Sequence, residues 1–229
     1  MKVWLPVLSA LLLAACGGAS SWDVPYDDGG PGTLAEVLFQ DDFDEPLSPD
    51  RWTLPAKAVE MSPVPSSLAL RDEQATTSHA AFLRGEEPLE FVIEMSWPCD
   101  CPEGGHLRGL PIQIVERDSD IVLASILIDI DDTVGQATVM YRIDPTGRVS
   151  PSSVVGVEVL DLEAFVDAFH TYRIEIWAAG YAQWSRNGRT FITSFTPLAD
   201  HDLVLRLGGR EGDGDPVLYD YVTVGRPGS

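Results

Sequence analysis

From Thr33 onward the chain is a succession of short apolar or alternating runs separated by turn residues. No other feature constrains its fold as much. The runs are EVLFQDDF, SLALRD, LEFVIEMSW, GLPIQIVE, IVLASILIDI, QATVMYRI, VVGVEVLDL, TYRIEIWA, RTFITSF, DLVLRLG and PVLYDYVTVG. A strand turns successive side chains to opposite faces, so such alternation buries one face and wets the other. The breaks fall where strands would reverse: DPTG at 144–147 and RNGR at 186–189. Asn187-Gly188 is the strongest hairpin signal in the sequence. One short helix is expected from Leu162 to Phe169, capped by Asp161. Many short strands with almost no helix predict an all-β chain folded as a two-sheet antiparallel sandwich, a jelly roll. With no internal repeat or second shift of composition, residues 33–229 are expected to form one domain.

The first sixteen residues, MKVWLPVLSALLLAAC, place Lys2 before an apolar run and small residues ending in Cys16. That is the form of a secretory signal, too short to persist as a membrane-spanning helix. LAAC, Leu13 to Cys16, resembles the lipobox of bacterial lipoproteins. The resemblance implies a signal peptide at 1–15, cleavage before Cys16, and diacylglyceryl and palmitate-type acyl chains on that cysteine. Each buried methylene contributes about 0.8 kcal/mol, so several chains on one residue anchor a domain to the membrane firmly. By the same resemblance, Gly17 rather than Asp after the cysteine implies the outer membrane of the cell envelope. Residues 16–32 continue as GGASSWDVPYDDGGPG, without apolar period, and read as a flexible linker.

With 36 acidic against 15 basic residues the formal charge is −21. Such a field repels phosphate backbones, and no basic patch offsets it, so nucleic acid is not an expected partner. Besides Cys16, the chain has Cys99 and Cys101, in the turn WPCDCPEGG. In an oxidising compartment they can pair, although so small a ring is strained and adds little stability. Two free thiols or a redox-active Cys-x-Cys pair are the alternatives, the latter without a nearby basic residue to favour the thiolate.

Three stretches carry a resemblance to a known family. FQDDFDEPLSPDRWTL, Phe39 to Leu54, resembles the opening strand and turn of concanavalin A-like lectin/glucanase domains, of laminin G-like jelly-roll form. FHTYRIEIWAAGYAQWSRNGRTFITS, Phe169 to Ser194, resembles their His-x-Tyr-x-Ile-x-Trp…Asn-Gly hairpin, and VLYDYVTVG, Val217 to Gly225, their closing strand. The three occur in the family's order. The resemblance implies two stacked, curved antiparallel sheets with a concave outer face.

The stretch ASILIDIDDTVG, Ala124 to Gly135, sets Asp129 and Asp131 either side of Ile130. On a strand they share one face roughly 6–7 Å apart, close to what a glycosidase needs of two carboxyl groups. Retaining glucanases of the resembled family carry Glu-x-Asp-x-Glu on one strand, the two Glu acting as nucleophile and acid/base. Centring that pattern on Asp129 puts Leu127 at the nucleophile and Asp131 at the acid. Centring it on Asp131 puts Asp129 at the nucleophile and Thr133 at the acid. Leucine cannot attack an anomeric carbon, and threonine cannot protonate a leaving oxygen at neutral pH. Each register lacks one carboxyl, so no catalytic centre is expected, with Asp129 and Asp131 the only candidates. The strand reads instead as Ile126, Ile128 and Ile130 buried, with Ser125, Leu127, Asp129 and Asp131 facing outward. No G-x-S-x-G elbow appears. His79, His106, His170 and His201 are scattered, without metal-ligand spacing.

If Tyr172, Ile174 and Ile176 point inward, Arg173, Glu175 and Trp177 point outward. With Arg142 and Trp184 on neighbouring strands beside Asp129 and Asp131, they are the expected ligand-binding residues of a sugar-binding face. Apolar ring faces would lie on indole and hydroxyls would meet carboxylate and guanidinium. The bland alternative packs the tryptophans in the core and leaves the charges as surface ion pairs. The family's structural Ca²⁺ is often held by an Asp in the closing strand, here Asp220, together with main-chain carbonyls. GREGDGDP, 209–216, is acidic but fails as an EF-hand loop, with Pro216 where glycine is needed. The expected function is a lipid-anchored envelope protein with a non-catalytic carbohydrate-binding sandwich. The alternatives are a divergent glycoside hydrolase or polysaccharide lyase using the concave face, and a structural envelope component.

Overall fold

The computed structural model describes residues 34–53, 60–63, 66–71, 74–77, 88–99, 105–144, 154–166, 168–177, 181–194, 202–210 and 215–227. In chain order the strands are β1 (Leu34–Asp41), β2 (Trp52–Thr53), β3 (Glu60–Pro63), β4 (Ser66–Leu70), β5 (Gln74–Thr77), β6 (Leu89–Ser96), β7 (His106–Glu116) and β8 (Val122–Asp131). They continue as β9 (Gln136–Ile143), β10 (Val154–Asp161), β11 (Phe169–Trp177), β12 (Tyr181–Arg186), β13 (Arg189–Ser194), β14 (Leu203–Gly208) and β15 (Val217–Pro227). Every apolar run read from the sequence becomes a strand. The helix α1 (Leu162–Phe165) is shorter than expected. Asp161 caps it by accepting from the Glu163 and Ala164 amides. At its end the backbone turns extended at Val166, and the Phe165 carbonyl is taken by His170 Nε2 at 3.1 Å. No helix among the described residues is long and apolar enough to cross a membrane.

The strands form two sheets, antiparallel throughout. The first runs β13-β12-β11-β6-β15-β4-β3, with β1 paired to the far half of β15. The second runs β10-β9-β8-β7-β14-β5-β2. Residues with period two face the space between them: Ile126, Ile128 and Ile130 on β8, Val139 and Tyr141 on β9, and Tyr172, Ile174 and Ile176 on β11, all buried. Each fully buried isoleucine contributes about 1.5–3 kcal/mol, so this shared aliphatic layer drives the stacking. Some core side chains reach across to the other layer through their polar atoms. Trp184 Nε1 on β12 donates to the Arg142 carbonyl on β9 at 3.1 Å. The Tyr219 hydroxyl on β15 lies 2.8 Å from the Pro111 carbonyl and 2.6 Å from that of Gly208. A bulge in β7 between Gly109 and Ile112 accompanies that contact and sets the register of the strand's first half.

Candidate functional site

Burying the isoleucines of β8 turns Ser125, Leu127, Asp129 and Asp131 to the outer face of the second sheet. The unbroken registers to β9 and β10 extend each of these into a row across strands. Asp131 lies beside Gln136 and Asp161, Asp129 beside Thr138 and Val159, Leu127 beside Met140 and Val157, and Ser125 beside Arg142 and Val155. On the other side β7 sets His106 opposite Asp131, Arg108 opposite Asp129 and Gln113 opposite Ser125. Leu110, in the bulge, is exposed. The outer face therefore sets one aliphatic row, Leu127, Met140 and Val157, between polar rows at the two-residue spacing of a strand, roughly 6–7 Å.

The aspartates keep about a third of their surface exposed, 34% for Asp129 and 31% for Asp131, and His106 joins them. Its Nδ1 is 3.9 Å from Asp129 Oδ1 and its Nε2 3.5 Å from Asp131 Oδ2. Sequence reading missed this meeting, because it depends on the register between β7 and β8, which the bulge sets. The Thr133 hydroxyl and amide both donate to Asp131 Oδ1, the amide at 3.0 Å. The Thr133 hydroxyl first, then His106 and further amides, hold the Asp131 carboxyl below the usual range. A general acid needs the opposite, a carboxyl lifted by burial.

The five expected ligand-binding residues do not gather at one place. Arg173, Glu175 and Trp177 do face outward together, but on β11 of the first sheet, behind the face that carries Asp129, Asp131 and Arg142. There Arg173 Nε lies 3.0 Å from Glu90 Oε1, and Gln183 Nε2 donates to Glu175 Oε2 at 3.2 Å. Trp177 is 37% exposed. Trp184 is a correction: it is wholly buried, opposite Ile174 and bonded across the core, and cannot stack on a sugar. Arg142 faces outward on β9 and pairs with the buried carboxylate of Asp144 at 2.5 Å. Alternation tells which side of a strand a residue takes, but not which sheet the strand joins.

Asp220 sits on β15 at a bulge between Tyr219 and Tyr221. Burial first, then the charges of Asp44 and Asp42, raise its carboxyl above the usual range. Among the described residues no three His, Cys, Asp or Glu side chains group to hold a metal ion, so a cation at Asp220 would depend on main-chain oxygens. His170 is buried beside Arg186 and Asn187. Cys99 is disulfide-bonded. Cys16, Cys101, His79 and His201 lie outside the described residues.

Two antiparallel sheets of seven and eight strands around one aliphatic core, closed by the β15 strand beside β6, make this a concanavalin A-like jelly roll. The chain is similar in fold to an endo-1,3-β-glucanase from Streptomyces sioyaensis, with a TM-score of 0.58 at 13% identity, covering 87% of this chain and 99% of that one. The globular domain of T. cruzi calreticulin gives a TM-score of 0.58 at 12% identity over 82% of this chain and 88% of that one. A non-specific endo-β-1,3(4)-glucanase gives 0.54 at 14% identity over 82% and 89%. At such identities the likeness concerns the fold alone. No protein-family model and no curated protein matches the sequence.

Proposed function

We propose that this chain is a glycan-binding protein of the bacterial envelope, held to the membrane through lipidated Cys16, whose second-sheet outer face binds a saccharide chain without cleaving it. The observation that carries the non-catalytic part is the Asp131 carboxyl, lowered by Thr133 and partly exposed, with Leu127 where a second carboxyl would be required. The rows of the face support the binding part. Leu127, Met140 and Val157 offer an aliphatic strip for the apolar side of sugar rings, and Asp129, Thr138 and Arg108 beside it offer hydrogen-bonding groups for hydroxyls. The fold neighbours lend support, since one glucanase of this shape was crystallised with a glucose oligosaccharide at its active site.

The test is retention of the full chain on a panel of immobilised polysaccharides. Wild type is retained on at least one of them, the Asp129→Ala, Asp131→Ala double variant is not, and no reducing ends appear. Loss of retention on every polysaccharide would favour a structural envelope role. His106 between the two aspartates favours a second reading, polysaccharide cleavage with that imidazole as the proton-transfer group. Release of reducing or unsaturated ends, lost in His106→Gln, would replace binding with that reading. For the anchor, Cys16→Ser should abolish incorporation of labelled acyl chains. Calcium at Asp220 belongs to the same proposal, supported by the mutual repulsion of Asp220, Asp42 and Asp44 that a cation would relieve.

A further inference from the structure

Strand β10 ends the second sheet. It pairs with β9 through eight consecutive residues in unbroken register, and among the described residues no strand pairs with its other edge. Such an edge is a row of unpaired amides and carbonyls ready to template another strand, and proteins blunt it with charge, proline, bulges or brevity. The other terminal strands are blunted in these ways. β2 has two residues, β3 ends in Pro63, β1 is bulged at two points, and β13 opens on Arg189 and pairs through a bulge. β10 has none of these devices. Its outward side chains Val155, Val157 and Val159 are 56%, 57% and 58% exposed. Glu158, its one charge before Asp161, turns inward to a bidentate pair with Arg186. β13 packs under the inner side of β10 rather than along its edge: a Cβ built on Gly156 would lie 2.1 Å from Ile192 Cγ2.

We propose that this edge docks a second copy of the chain, β10 pairing antiparallel with β10 of the copy about a two-fold axis, so that the two second sheets become one continuous sheet. The strand is complementary to itself. With the axis through Val157, Val157 faces its counterpart, Val155 faces Val159, and inward Glu158 faces Gly156. Charge points to the same place. Two chains of −21 repel over most of their surface, and from Val155 to Val159 this edge presents no outward charge to its mirror. Seven paired residues of each copy bury an area at the low end for specific interfaces, so the dimer is weak and concentration-dependent. Its consequence is a doubled outer face, with the Leu127, Met140 and Val157 row continued into that of the copy.

Sedimentation of the full chain over a concentration series at physiological ionic strength tests this. A reversible monomer–dimer equilibrium is expected, with the β10 amides gaining protection from hydrogen exchange as concentration rises. Val157→Lys sets two lysines opposite one another at the axis and should abolish the dimer at concentrations where wild type forms it. At concentrations where wild type is monomeric its melting transition should stay unchanged, since the side chain already faces water. Val134→Lys, on an exposed turn residue away from the edge, should dimerise as wild type does. A chain monomeric at every concentration overturns the proposal. So does a Val157→Lys variant that associates like wild type, as it would through another surface. A monomeric chain whose β10 amides are protected only by an added extended peptide would assign the edge to strand addition by another molecule instead.

Discussion

Glu90 lies directly opposite Glu175 on the outer face of the first sheet, only 3% exposed. Burial raises its carboxyl above the ordinary value; Arg173 lowers it in part, and Glu175 adds to the rise. Arg173 is close but not aligned as a hydrogen-bond donor to Glu90 Oε1. Because the folded pKa is raised, the folded state holds the proton more tightly than the unfolded chain. Stability is then lost as pH rises from about 4.3, the unfolded value, through the folded one. Glu90→Gln should therefore raise the melting temperature at pH 7, and the gain should shrink on acidification below pH 4. A variant less stable than wild type at pH 7 would show that the Arg173 pair outweighs desolvation. His170 has the opposite sign. Its Nδ1 accepts from Arg186 Nη1 at 3.1 Å and Asn187 Nδ2 at 3.2 Å, so the ring must be neutral. Burial first, with Arg186 adding to it, lowers its pKa, outweighing the Phe165 carbonyl and Glu158. The unfolded imidazole takes its proton near pH 6.5 while the folded one does not, so stability present above that pH is lost as pH falls below it. Chemical denaturation at pH 7 and pH 5 should show wild type losing more stability than His170→Gln.

At the level of elements, the hairpin of β12 and β13 is the clearest case of local chemistry deciding structure. Asn187 and Gly188 both have positive φ, 47° and 76°, the turn whose twist matches that of the strands it joins. Asn187 is also docked to β11: its side-chain oxygen accepts from the Thr171 amide at 2.9 Å and its own amide donates to the Thr171 carbonyl at 2.8 Å. Gly188→Ala forces a side chain into the left-handed region and should cost about 1–2 kcal/mol, read by urea denaturation. A change near zero would mean that the turn rearranges without strain. The bulge in β7 was not legible in the same way. GLPIQIVE announces a strand, but no local signal says that Leu110 and Pro111 are the residues set out of register. Without that offset, His106 cannot be placed opposite Asp131.

For the molecule as a whole, the calcium proposal predicts that a chelator lowers the melting temperature of wild type and that Asp220→Ala abolishes the effect. An unchanged melt removes calcium from the account. Although the short β2, β3 and β5 matched no run, the strands of the eleven apolar runs, the Asn-Gly hairpin, the Asp161 cap and the inward residues of β8 and β11 were legible in the sequence. These depend on a side-chain period of two and on local backbone preferences, which neighbours along the chain determine. Only the tertiary structure decided which strands share a sheet. It separated Arg173, Glu175 and Trp177 from Asp129 and Asp131, sent Trp184 to the core, and brought His106 between two aspartates. Strand pairing over long sequence distances follows from how the whole apolar layer packs, and no single segment carries that information.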